Sequence, residues 1–148
     1  MSFLTILKEE QTFTGKDGIT YTLTPLNLRD LGKFVSWVQF KPYRDAIEAD
    51  IPEDRLKEIY EDCKRGKVRE EVSKGVFEEF DINIHSTIVS QAMQDIEGLI
   101  KLFEFSLQKK HHNKKFEDVC DEDTLVEIQN QLLEVTFGNP PNEEPEKN

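Results

Sequence analysis

The residues able to do chemistry are few and scattered. Three histidines occur, His85, His111 and His112, and two of them are adjacent. Neighbouring helical residues point about 100° apart, so His111 and His112 cannot converge on one metal ion. They read instead as cations closing a helix, where the dipole favours positive charge. His85 reads as a surface or boundary residue. Cys63 and Cys120 lie far apart without a C-x-x-C pattern. A reduced pair is expected, with no disulfide framework and no zinc site. Carboxylates crowd stretches such as "DEDTLVE" and residues 58–62, yet no pair stands out from the acidic background, and solvated helix faces account for them. There is no G-x-S-x-G elbow, no cysteine with a suggestive histidine neighbour and no phosphate-cradling glycine loop. Gly15 and Gly18 have the spacing of a hairpin, and no helix follows them directly. The expectation is therefore no catalytic residue, no cofactor site and no metal site, and a protein that is not an enzyme.

Charge narrows the partners. Lys plus Arg number 19 against 30 Asp plus Glu, a formal charge of −11. Nucleic acid and anionic membrane surfaces are excluded as expected partners, because both bind through cations. The basic run Lys109, Lys110, Lys114 and Lys115 reads as a helix terminus. An acidic exterior favours solubility and basic or amphipathic partners. Hydrophobic residues make up 36 %, below the usual share, so part of the apolar surface is expected to be completed by self-association or by a partner. The start "MSFLTILKEE" lacks the basic flank and cleavage site of a secretory signal, and no window approaches ~18 uninterrupted apolar residues. A cytosolic protein is expected.

These residues need elements to position them. A β-hairpin is predicted at about 11–24: Gly15-Lys16-Asp17-Gly18 has turn chemistry, and Ile19, Tyr21 and Leu23 alternate with threonines. Phe13 is placed to pair across to that face. A lone hairpin is marginal in water, so this one must lean on helices or on another chain. Pro25 ends the strand, and Asn27 with Asp30 begins a helix whose stripe is Leu28, Leu31, Val35 and Val38, widened by Phe34 and Trp37. Trp37, with Phe34, Phe40 and Tyr43 nearby, reads first as a core anchor and second as an interface anchor. Pro42 interrupts the helix, with a further turn or two after it. Asp50, Pro52 and Glu53 signal the next start, Leu56, Ile59, Tyr60 and Cys63 its face, and Gly66 its end. Residues 67–81 read as irregular or weakly helical. "NIHSTIVSQAMQDIEGLIKLFEFSLQKKHH" reads as one long helix with Ile84, Ile88, Ala92, Ile96, Leu99, Phe103 and Leu107 in a stripe and Leu102 and Phe105 off it. After a connector holding Phe116 and Val119, Asp121 caps a last helix with Leu125, Ile128, Leu132 and Val135 as seam and Gly138 as stop. The predicted architecture is mainly α: a single helical domain over residues 1–138 with an N-terminal β-hairpin, followed by a disordered acidic tail over residues 139–148.

The order of these features resembles a known family. "GITYTLTPLNLRDLGKF" is similar to the opening of bacteriophage tail assembly chaperones, in which a short strand pair of the type G-x-x-Y-x-L-x-P-L-x-L-x-D-L runs into the first helix. "LIKLFEFSLQKKHHNKKFEDVCDEDTLVEIQNQLLEVTFG" resembles their C-terminal half. The resemblance spans residues 18–34 and 99–138. It implies a chaperone that binds the tape measure protein during tail morphogenesis and then leaves, working in the host cytoplasm and absent from the mature virion. It also implies a longer form made by ribosomal frameshifting, and a homo-oligomer is an open possibility. The partner-binding residues read from the sequence are Trp37, Phe40, Leu102, Phe105 and Leu133, the last three as leftover helix faces forming an apolar groove for the client's amphipathic helices. Two alternatives stand beside this reading: a structural tail or connector component, and a small regulatory interaction protein.

Overall fold

The computed structural model describes residues 8–137, with side chains described as far as residue 130. In chain order the elements are β1 (Gln11–Thr14), β2 (Thr20–Leu23), α1 (Leu28–Gln39), α2 (Lys41–Glu48), α3 (Glu53–Lys64), β3 (Lys67–Ser73), β4 (Val76–Asp81), α4 (Thr87–Ala92), α5 (Ile96–Gln108), α6 (Phe116–Val119) and α7 (Glu122–Phe137). The single domain expected from the sequence resolves into two compact units. Among the described residues one unites 8–26 with 96–137; the other is Asn27–Asp95. Two antiparallel sheets, β1–β2 and β3–β4, stand among the helices, so the chain is mixed α and β rather than mainly α. The predicted stop at Gly138 and the tail over residues 139–148 lie outside the described residues, as do the side chains of Leu132, Leu133 and Val135.

In the first unit the hairpin closes as its turn residues require. Gly15 N donates to Ile19 O at 2.8 Å, and Gly18 takes a φ of 82°, which its missing Cβ permits. Phe13 stands opposite Tyr21, and both are buried with Leu23, while Ile19 sits in the turn and stays exposed. The hairpin leans on its own chain. The Phe13 ring meets Phe103 edge-on at 5.2 Å, and Phe103 meets Phe116 edge-on at 5.5 Å. Ser106, fully buried on α5, donates its hydroxyl to Thr24 O at 2.6 Å, so a buried polar group is satisfied where β2 crosses the helix. Lys16 N donates to Val119 O at 2.8 Å and ties the turn to α6. Asp121 caps α7 by accepting from Thr124 N at 2.8 Å, and Leu125 and Ile128 are buried beneath it.

His111 corrects the sequence reading. It does not serve as a helix-end cation: Nε2 accepts the Thr22 N–H at 3.0 Å, and the ring stands edge-on to Tyr21 at 5.0 Å.

The hairpin tip carries a pH signature. The Tyr21 hydroxyl donates to Asp17 Oδ2 at 2.5 Å. That bond holds the Asp17 carboxyl below its ordinary value and raises the Tyr21 phenol from about 10 to about 12, with burial adding to the rise. The tyrosine contribution is full below pH 10 and is lost as pH rises through 12. The aspartate contribution is full above the ordinary carboxylate value and is lost as pH falls through the lowered one. In an ultraviolet titration one of the three tyrosines is therefore expected to ionise late, near 12, and Asp17→Asn to bring it back toward 10, short of it by what burial contributes. Three tyrosines ionising together in the unsubstituted protein would contradict this.

In the second unit Asn27 and Asp30 form a reciprocal cap. Asn27 Oδ1 accepts Asp30 N, and Asp30 Oδ2 accepts Asn27 N, each at 2.9 Å. The buried face of α1 runs through Asp30, Phe34 and Val38, whereas Leu28 is 85 % exposed and lies off it. Pro42 opens α2, where a missing N–H costs nothing. Asp50 is not the cap of α3. With a φ of 56° it ends α2: Asp50 N donates to Ile47 O and Ile51 N to Ala46 O, both at 3.2 Å, the paired bonds of a left-handed helix stop. Pro52 precedes α3 instead, without a side-chain cap, and Glu53 and Asp54 place their charge in its first turn.

Residues 67–81 overturn the expectation of irregular or weakly helical chain. They form the β3–β4 ribbon, with Lys67 opposite Asp81, Val68 opposite Phe80 and a bulge between Glu71 and Ser73. β-branched and aromatic residues on either side of Lys74-Gly75, with Gly75 at φ 77°, make a hairpin the better local solution. The long helix is likewise corrected: it starts after Ser86 and breaks over residues 93–95 into α4 and α5. Asp95, just ahead of Ile96, and Glu97 in the first turn are start signals that the continuous periodicity overrode. The break changes the buried phase. Val89 and Met93 are buried while Ile88 and Ile96 are largely exposed, and α5 buries Leu102, Phe103 and Leu107.

Candidate functional site

Aromatic and apolar side chains come together where α2 and α3 pack. On α3 the residues Glu53, Leu56, Lys57, Tyr60 and Glu61 recur at helical spacing along one face. Tyr43 of α2 joins them to line a groove of about 490 Å³. The Tyr43 and Tyr60 rings meet edge-on at 5.1 Å, and Phe40 approaches Tyr60 at 5.6 Å. Tyr43 and Leu56 are half-buried, and Glu53, Lys57, Tyr60 and Glu61 are exposed. Lys64 stands 5.6 Å over the Tyr60 ring and 3.7 Å from Glu61, so one cation already uses that aromatic–carboxylate pair. Such a surface suits apolar anchors flanked by basic groups, and its size is within the ~300–1,000 Å³ of ordinary binding pockets.

The five residues expected to bind a partner are not gathered into one site within either unit. Phe40 belongs to the aromatic wall beside the groove. Trp37 is half-buried on α1, stacked on Phe34 at 5.5 Å with the Arg44 guanidinium 4.4 Å over its ring, a structural position. Leu102 corrects the groove read from the sequence: it is fully buried in the core and offers no leftover face. Phe105, half-buried on the same helix, has the Lys101 ammonium 5.4 Å over its ring. The Leu133 side chain lies outside the described residues. Sequence reading missed Tyr43, Leu56 and Tyr60 as a site because Leu56 and Tyr60 were grouped with Ile59 and Cys63 in one core face. Only Cys63 of the four is buried. The available signal was the pair of tyrosines set among charges, since aromatic residues beside acids and lysines are typical of interface anchors.

Both cysteines are free and buried, one in each unit. Burial pushes the Cys120 thiol up to about 11 and raises that of Cys63 as well. At pH 8 neither is expected to react with an aromatic disulfide reagent until the protein is unfolded, when both react at the rate of free cysteine. Rapid labelling of either thiol in the native protein would contradict this packing. Among the described residues no group of three or more His, Cys, Asp or Glu side chains is placed to hold a metal ion, and no helix is long and apolar enough to cross a membrane. No protein-family model matches the chain, nor does any curated protein or any solved structure.

Proposed function

We propose that the protein is a non-enzymatic chaperone of phage tail assembly that receives amphipathic helical segments of the tape measure protein and keeps them soluble. The observation that carries this reading is the α2–α3 groove. It is lined by Tyr43, Leu56 and Tyr60 together with the carboxylates of Glu53 and Glu61, on a chain of charge −11. An amphipathic helix laid there buries its apolar anchors at i, i+3 or i+4, and i+7, and sets flanking lysines against Glu53 and Glu61. The acidic exterior keeps the loaded complex dispersed. The resemblance of residues 18–34 and 99–138 to tail assembly chaperones is what suggests the tape measure protein as the client. The protein acts in the host cytoplasm and leaves before the virion is complete.

Calorimetric titration tests the groove directly. The probe is an 18-residue peptide with leucine at helical i, i+3, i+7 spacing and lysines beside the stripe. Saturable binding in the micromolar range, about −8 kcal/mol, is expected. A peptide of the same composition with its leucines scrambled off one face should bind at least tenfold more weakly. Equal binding of the two peptides would contradict recognition of an amphipathic helix.

A further inference from the structure

The β3–β4 ribbon carries apolar surface that the groove does not use. Every residue of β4 is exposed, and Phe77 and Phe80 keep 49 % and 40 % of their surfaces in water. The sheet has only two strands, so β4 has an open edge. One bond sets the phase of that edge. Ile82 N donates to Gly66 O at 2.8 Å, continuing the pairing of Lys67 with Asp81 by one residue. Hydrogen-bonded and non-bonded pairs alternate along an antiparallel ladder. The main-chain groups of Glu78 and Phe80 therefore turn toward β3, and those of Phe77, Glu79 and Asp81 turn outward. Three residues thus present N–H and C=O groups on an open edge, the template that an added strand uses.

Charge selects the occupant. Asp81 is paired with Lys67, and Glu79 with Arg65 at 3.2 Å. Glu78 has no cation within ion-pair distance among the described residues. It stands directly opposite Glu70, which turns its own Oε2 to the Thr87 N–H at 2.9 Å. Like charges facing across a ladder are destabilising, so a cation beside Glu78 relieves a cost already present in the ribbon. Val76 and Phe80 flank Glu78 on the same face, because side chains two residues apart share a face. A second copy is the wrong occupant: antiparallel pairing sets outward-turned residues only against one another, so the registers that overlap β4 along its length set either Glu78 against Glu78, or Glu79 against Glu79 with Phe77 against Asp81. We propose that the β4 edge binds an extended partner segment by strand addition. That segment carries Lys or Arg opposite Glu78 and apolar residues two positions to either side, against Val76 and Phe80. This is a second surface, independent of the α2–α3 groove.

Fluorescence anisotropy with two labelled peptides tests it: Thr-Val-Thr-Lys-Thr-Val-Thr, and the same peptide with Glu in place of Lys. The lysine peptide is expected to bind about tenfold more tightly, and Glu78→Lys to invert that order. Glu79→Pro removes an outward N–H without touching a bond to β3, so it should abolish binding of both peptides with the far-ultraviolet circular dichroism unchanged. Leu56→Asp, in the groove, should leave both affinities as they were. The proposal is overturned if neither peptide binds, if the two bind equally, or if sedimentation shows a dimer that Glu79→Pro dissolves. Should Glu79→Pro unfold the ribbon, the inversion by Glu78→Lys alone decides.

Discussion

Leu56→Asp is expected to weaken binding of the amphipathic probe peptide by roughly 30- to 150-fold, about 2–3 kcal/mol, with little loss of stability. Leu56 is half-buried and lines the groove with Tyr43 and Tyr60, and an aspartate there places a charge where the client's apolar stripe must dock. An unpaired carboxylate covered by a helix loses its water without gaining a partner, which is why the effect on binding is large. In the free protein the groove is open, so a carboxylate at this half-buried position keeps access to water and the fold bears less of the cost. Titration of the variant beside the unsubstituted protein, with urea denaturation as the control for folding, separates the two. Unchanged affinity would remove the groove from the account.

Phe103→Ala is expected to destabilise the unit formed by the two chain ends by about 3–5 kcal/mol. Phe103 is fully buried and touches Phe13 on one side and Phe116 on another, each edge-on. Removing the ring leaves a cavity at the contact that joins β1 to α5 and α5 to α6. It deletes two aromatic contacts beyond the apolar transfer term. Because a domain of this kind has only about 5–15 kcal/mol of stability, the variant should unfold at a markedly lower urea concentration. A midpoint within error of the unsubstituted protein would show that the aromatic row does not hold the unit together.

Local chemistry was legible in the sequence wherever a residue's own backbone preference decides the outcome. The first hairpin follows from Gly18 and the alternating residues of β2, and the start of α1 from Asn27 and Asp30. The end of α3 follows from Gly66. Where two local signals competed, the reading failed. Asp50 has the type of an N-cap, yet its short side chain tolerates the left-handed conformation that stops α2, and that use won. The apolar residues of α4 and α5 keep a helical period across residues 93–95, so periodicity hid the break. The β3–β4 ribbon was obscured by its acids and lysines, which match a solvated helix as well as a strand with both faces wet. Long-range contacts were not legible at all. Nothing near His111 in sequence announces that its Nε2 accepts from Thr22, 89 residues away. The groove suffered the same fate, because Tyr43 and Leu56 become neighbours only when α2 folds against α3. Leu102, Phe105 and Leu133 were read as binding anchors for being leftover helix faces, and Leu102 shows the weakness of that rule: a helix covered on more than one side buries such residues.

The role proposed for this chain is to keep a helical client in solution by covering its apolar stripe. Co-expression with a tape measure protein, followed by centrifugation and affinity purification through a tag on the present chain, tests it most directly. The account predicts that the client moves from the pellet to the supernatant and elutes with the tagged protein, and that Leu56→Asp returns most of it to the pellet. A client that stays insoluble beside abundant folded partner, with none recovered in the eluate, would contradict it.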